Sequence, residues 1–273
     1  MITAMPRIAL AVHDFPATLA TFRDKLGMPV VDASDSTLAS LGAHVAMCVP
    51  EGGSNIELMS PGDPESALSK SLQKFLDRRG EGLFALMLEA PDPDAEAEEL
   101  AARGLDVLPL MAGAGGRDVH PRSTHGVLIR VYPNGSFKQQ TDDTSQDPEL
   151  SGIQRVIMAV HDAAKAAAVY GEGFDMEVSA PALDENRGVM QAICTPPAGG
   201  RIELVSPTDT ERPFARRIAS FLDDRREGMY ALVLHAPDPK AAADVLEERG
   251  IEVERSNVIE ASLLGARLLI EAG

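Results

Sequence analysis

Residues 56–107 of this chain recur, 146 positions later, as residues 202–253. "NIELMSP" at 55–61 matches "RIELVSP" at 201–207. "RRGEGLFALMLEAPDPDAEAEELAARGLDV" at 78–107 matches "DRREGMYALVLHAPDPKAAADVLEERGIEV" at 224–253. A repeat of this length constrains the fold more than any composition does, because both copies must adopt one topology. The stretch 134–152, "NGSFKQQTDDTSQDPELSG", is polar, turn-rich and unmatched, and reads as a linker. Three segments follow: a first half over 1–133, a linker over 134–152 and a second half over 153–273.

Each half repeats again, more faintly. "RIALAVHD" (7–14) and "RVIMAVHD" (155–162) are short apolar strands that end in Asp. Asp14 is placed to cap a helix over "FPATLATFRDKLG", which Gly27 closes. Apolar runs "HVAMCVP" and "NIELMSP" follow, separated by the turn "EGGS". "FALMLEAPD" restarts the cycle, with Asp92 capping a helix that ends at Gly104, then "LDVLPLM" and "GVLIRVYP". Arg7 to Asp14, Ala85 to Asp92, Arg155 to Asp162 and Ala231 to Asp238 all span seven residues. The order predicts an α+β fold of four βαβββ modules, two per half. Each half is then a curved sheet of paired modules around a cleft. Whether modules pair within a half or swap between halves stays open.

These pieces resemble the vicinal oxygen chelate superfamily, which includes glyoxalase I, extradiol dioxygenases and bleomycin-resistance proteins. Within it they are most similar to methylmalonyl-CoA epimerases. The ordered set "IEL-x-SP", "RRGEGL" and "HPRSTxGVLI" carries the resemblance, which covers almost all of the first half and fades after Val253, where "VIEASLLGA" replaces the "HPRST" region.

The resemblance implies a divalent metal held by ligands on the first and last strands of each module. Mapped here, those positions are Arg7, Glu57, Ala85 and Arg130 in the first half, and Arg155, Glu203, Ala231 and Glu271 in the second. Arg stays protonated and Ala has no donor, so neither set makes a metal site. No metal or other cofactor is therefore expected. Of the histidines, His13 and His161 adjoin capping aspartates, while His44, His120, His125 and His235 sit at strand ends or in a loop.

A buried carboxylate without its metal needs another cation. Arg7 facing Glu57, and Arg155 facing Glu203 or Glu271, would supply it. A structural salt bridge in a retired site is one reading. On the other, Arg7 and Arg130 exceed Glu57 by one positive charge and receive an anion, whereas the second cleft keeps one negative charge over and is mainly structural. The loop Gly113–Gly126 adds Arg122, Ser123, Thr124 and His125, groups suited to a phosphate or carboxylate. Phe84 and Tyr230 precede the Ala positions and read as core.

A net charge of −17 argues against nucleic acid as a partner. No run of 18 apolar residues and no leader-like N-terminus is present, so a cytoplasmic protein without membrane partners is expected. Cys48 and Cys194 occupy matching repeat positions and read as buried thiols rather than a disulfide. Two functions stay open. One is a metal-independent isomerase, epimerase or lyase acting on a small carboxylate or acyl-CoA. There Arg7 and Arg130 would hold an enolate-like anion, while Glu57 and His120 would move the proton. The other is a non-catalytic protein that binds a small anion; a homodimer is possible in either case. A dioxygenase suits the chain length but lacks the two His and one carboxylate that iron requires.

Overall fold

The structure, a computed structural model, describes residues 1–34, 41–111, 115–137, 141–255 and 259–273. The first half runs β1 (Ala4–Ala11), α1 (Phe15–Ala20), β2 (Val30–Asp32), β3 (Ala43–Cys48), β4 (Asn55–Pro61), α2 (Ala67–Arg79), β5 (Gly82–Ala90), α3 (Pro93–Ala102), β6 (Arg117–Val119) and β7 (Leu128–Pro133). The second half runs β8 (Ile153–Ala159), α4 (Ala163–Ala168), β9 (Glu177–Val178), β10 (Ala182–Asp184), β11 (Val189–Thr195), β12 (Arg201–Pro207), α5 (Pro213–Arg225), β13 (Gly228–Ala236), α6 (Pro239–Glu248), β14 (Glu252–Arg255), β15 (Ile259–Leu263) and β16 (Ala266–Ala272).

The four equally spaced aspartates do what the spacing predicts. Asp14, Asp92, Asp162 and Asp238 each accept a backbone N–H in the first turn of the helix that follows. This satisfies donors that a helix start leaves open. One expected strand is absent: "LDVLPLM" contributes only an isolated bridge, Val107 to Val119. The module order also omitted α2 and α5, which lie between the modules of each half.

The modules pair within their own half. In the first, the strand order is β2-β3-β4-β1-β5-β7-β6; in the second it is β10-β11-β12-β8-β13-β16-β15-β14, with β9 on β11. The module boundary is an antiparallel pair in both, β1 with β5 and β8 with β13. Neither sheet closes into a barrel.

Strand alternation then decides what each face meets. Ile8, Leu10, Leu58, Leu86 and Ile129 join Val156, Met158, Leu204, Leu232 and Leu268 in one core that spans both halves and takes in Phe22, Tyr170 and Phe174. The opposite face carries Ala9, Ala11, Met59, Ala85 and Met87. There α2 lays down Leu68, Leu72, Phe75 and Leu76, one apolar stripe at helical spacing. In the second half α5 does the same with Phe214, Ala215, Ile218 and Leu222. Each expected cleft is thus largely filled by a helix of its own chain.

The helices end differently. After α2, Gly80 takes φ 71° and ψ −167°; after α5, Arg226 takes φ 65° and ψ −168°. That region is nearly closed to side chains and costs a non-glycine residue about 1–3 kcal/mol. Arg226→Gly is therefore expected to raise stability by about 1 kcal/mol in urea denaturation.

Candidate functional site

The side chains at the first-half metal-type positions are buried and mutually satisfied. Arg7 Nε donates to Glu57 Oε2 at 3.1 Å, and Arg7 also donates to the Ser136 hydroxyl at 2.8 Å. Ser136 in turn donates to Glu89 at 2.9 Å. Arg130 forms a two-pronged pair with Asp118, one arm at 2.6 Å. Both guanidiniums lie near the Tyr132 ring, at 4.6 and 5.9 Å from its centroid. Arg7 is 4% exposed and Arg130 3%. Burial alone would lower Arg7, but Glu57, with Tyr132 and Glu89, more than reverses this and raises it. Arg130 is likewise raised against burial, by Asp118 and Tyr132.

The structure thus brings Arg7, Glu57 and Arg130 together, and it corrects the charge count. Asp118 and Glu89 supply the carboxylates that the sequence mapping left out, so no surplus cation waits there for an anion. Asp118 could have been found: it pairs with Arg130 across the β6–β7 ladder.

The second half corrects a register. Ala85 and Met87 of β5 face Leu128 and Arg130; their counterparts Ala231 and Val233 align with the β16 segment so that Val233 faces Leu269. Leu269, not Glu271, therefore occupies the place of Arg130, and Glu271 occupies that of Tyr132. The shorter loop before β16 hid this shift. Arg155 bridges Glu203 at 2.9 Å and Glu271 at 2.6 Å. Arg187 also bonds Glu203, and it holds Asp184 at 2.7 Å. Arg187 joins the cluster, but with Asp184 counted two guanidiniums face three carboxylates, so one negative charge stays over.

The "HPRST" loop lies elsewhere, and its first residues, Gly113 and Ala114, fall outside the described residues. Arg122 pairs with Asp106 at the surface. Ser123 accepts the Asp106 N–H at 3.0 Å, and Thr124 is fully buried with its hydroxyl on the Val127 carbonyl. His125 contacts Glu227 of the other half at 2.9 Å. His125 thus ties the two halves, while Arg122, Ser123 and the Thr124 hydroxyl bond within the first. Glu81 and Glu227, repeat equivalents, each accept the backbone N–H of His13 or His161 in their own half, at 2.7 and 2.9 Å. Across the seam, a Cβ on Gly126 would fall 2.0 Å from the Glu227 carbonyl oxygen, and one on Gly265 2.0 Å from that of Glu81. The "EG" of each "RRGEGL"-like motif is a seam.

Only His120 of the predicted catalytic set reaches open space. It lines a cleft of about 780 Å³ between the halves. The ends of α2 and α5, the starts of β5 and β13, and the β15–β16 turn form its walls. The floor is apolar and aromatic, with Phe75, Phe84, Leu128, Phe221, Met229 and Tyr230. The rim carries Lys74, Arg78, Arg79, Arg225 and Arg267, and no Asp or Glu lines it among the described residues. Arg267 is paired with Glu260 at 2.7 Å. Lys74, Arg78, Arg79 and Arg225 make no ion pair among the described residues. The protein crowded around Arg79, and then the charges of Arg225 and Arg226, pull it below the ordinary arginine range. A cleft of this size, mostly apolar with a few polar groups at its edge, is suited to a small organic ligand. Its sequence signal was the doubled arginine in "DRRGEG" and "DDRREG", here a helix-end feature rather than a fingerprint alone.

The metal implied by the resemblance does not fit these residues. Arg7, Ala85 and Arg130, and likewise Arg155, Ala231 and Leu269, provide no donor, and Glu57 and Glu203 are already bonded to guanidiniums. No group of three His, Cys, Asp or Glu among the described residues could hold an ion. Elemental analysis of the purified protein should find less than about one equivalent of divalent metal. A stoichiometric metal whose chelation lowers stability would contradict this. Cys48 and Cys194 are buried free thiols, and burial pushes Cys194 up to about 12. No helix among the described residues is long and apolar enough to cross a membrane.

Comparisons with known proteins agree with the fold. No curated protein sequence matches the chain. Among solved structures, a mutant 4-hydroxymandelate synthase from Streptomyces coelicolor aligns over 98% of this chain and 91% of its own, at 14% identity and a TM-score of 0.68. A fusion of a xylose isomerase-like TIM barrel with a 4-hydroxyphenylpyruvate dioxygenase aligns over 99% of this chain and 48% of its own, at 15% identity and a TM-score of 0.64. A point variant of methylmalonyl-CoA epimerase from Streptomyces coelicolor, in complex with 2-nitronate-propionyl-CoA, covers 48% of this chain and 96% of its own, at 27% identity and a TM-score of 0.40. The first two likenesses show the fold. A family model for the glyoxalase/bleomycin resistance protein/dioxygenase superfamily matches residues 7–120 and again 154–262, so this chain belongs to that superfamily, with its repeat in tandem.

Proposed function

We propose that the chain is a non-catalytic binding protein of this superfamily, taking a small amphipathic organic anion in the cleft between its halves. The observation that carries the reading is the contrast between sites. The metal-type positions are occupied by ion pairs, buried in the first half and half-buried in the second, on faces where α2 and α5 pack, whereas the seam holds an open cleft with an apolar floor and a cationic rim. An isomerase working through Glu57 would need substrate to reach a carboxylate that is 4% exposed and already paired with Arg7. Such a base must come within hydrogen-bond reach of the proton it removes.

The test uses 1-anilinonaphthalene-8-sulfonate, a fluorescent amphipathic anion. The wild-type chain is expected to bind it at one site and enhance its emission. Ser262→Trp, at an exposed position on the cleft wall, fills the space without entering the core and should abolish the signal with the circular dichroism unchanged. Emission that persists in Ser262→Trp would move the ligand out of the cleft and overturn the reading.

A further inference from the structure

We infer that the cleft selects a ligand with a doubly charged head, of the phosphoryl class, on a flat apolar or aromatic body. This rests on the reading just given and goes on to name the ligand's chemistry. Charge is distributed unevenly over the molecule. The chain has 42 Asp and Glu against 25 Lys and Arg, yet the cleft wall draws only cations. The dipole at a helix C-terminus accounts for a cation or two in each last turn. It does not account for the missing carboxylates. Glu81 and Glu227, which adjoin the arginines in sequence, are turned away to the backbone of His13 and His161.

The placement follows from the repeat. Arg79 and Arg225 are equivalents 146 residues apart, and Arg225 donates to the Arg79 carbonyl at 3.2 Å. The pseudo-symmetry of the halves therefore brings the two helix ends, and their guanidiniums, to one place. Arg78 and Lys74 add charge on the first-half side. One carboxylate cannot engage this set, whereas a phosphoryl group presents three strong acceptors and nearly two charges at neutral pH. Like charges held together in a low-dielectric wall attract a counter-ion strongly. The strained Arg226, standing where the first half has Gly80, adds a further cation beside them.

Below this rim, the half-buried Phe75 and Phe221 offer ring surface for the body of the ligand, with the buried rings of Phe84 and Tyr230 packed against them. Phe75 and Phe84 meet edge to face at 5.3 Å between centroids, as do Phe221 and Tyr230 at 5.4 Å. Two such aromatic pairs, one from each half, frame the cleft.

Three probes that share one ring system separate head from body: 1-naphthyl phosphate, 1-naphthoate and 1-naphthol, each titrated calorimetrically at pH 7.5. The phosphate is expected to bind at least about tenfold more tightly than the carboxylate, and the alcohol most weakly. Affinity for the phosphate should fall by about 10- to 150-fold in Arg79→Gln/Arg225→Gln, the loss of one or more charge-assisted hydrogen bonds, and its advantage over the alcohol should disappear. It should also fall as salt is raised. If all three bind alike and Ser262→Trp excludes all three, the cleft binds ligands but the phosphoryl class is overturned. If none binds and 1-anilinonaphthalene-8-sulfonate also fails, the binding reading itself falls.

Discussion

Glu57→Ala is expected to destabilise the protein by about 3–5 kcal/mol, the cost of leaving a buried charge without its partner. Arg7, at 4% exposure, would retain the Ser136 hydroxyl, the Tyr132 ring and the more distant charge of Glu89, none of which replaces its direct carboxylate partner. The double replacement Arg7→Met/Glu57→Leu should recover most of that loss, because a buried ion pair and an apolar pair of similar volume are often of similar stability. Urea denaturation of the three variants measures this. The double variant should also bind the naphthyl probes as the wild type does. If it folds stably but loses binding, Arg7 and Glu57 belong to a ligand site and the division between structural pairs and open cleft is wrong.

Gly126→Ala is expected to cost about 3 kcal/mol or more, from an unfavourable backbone conformation and overpacking together. Gly126 has φ 82°, and its added Cβ would meet the Glu227 carbonyl oxygen at 2.0 Å, backbone against backbone. Gly104→Ala is the control. It has φ 89° with nothing within 4 Å, so only the conformational cost of about 1–2 kcal/mol applies. The difference between the two variants isolates the seam. Equal losses would show that the halves do not depend on this close approach.

The sequence made the repeat and the four capped helices legible because both are local: a shared register and an Asp at each helix start. The pairing of Arg7 with Glu57 was also legible, since a bare buried carboxylate demands a cation. Three things were not. Arg187 completes the Glu203 pair from the turn between β10 and β11, a placement that only the folded chain reveals. Glu271 was misplaced because the loop before β16 is shortened, and a two-residue shift keeps a side chain on the same face while moving it along the strand. The cleft was hidden because its walls come from helix ends 146 residues apart, brought together by pseudo-symmetry. The "HPRST" loop had the composition of an anion site, yet its hydroxyls are used in bonds within the first half and His125 in joining the halves.

The central claim is that ligand binding has moved from the metal-type positions to the seam. A crystal structure of the complex with 1-naphthyl phosphate tests it most directly. The account predicts density for the probe between the ends of α2 and α5, its phosphate on Arg79 and Arg225, with the Arg7–Glu57 and Arg155–Glu203 pairs intact. Density against Arg7, Arg130 or Arg155, with those pairs opened to receive it, would contradict the account.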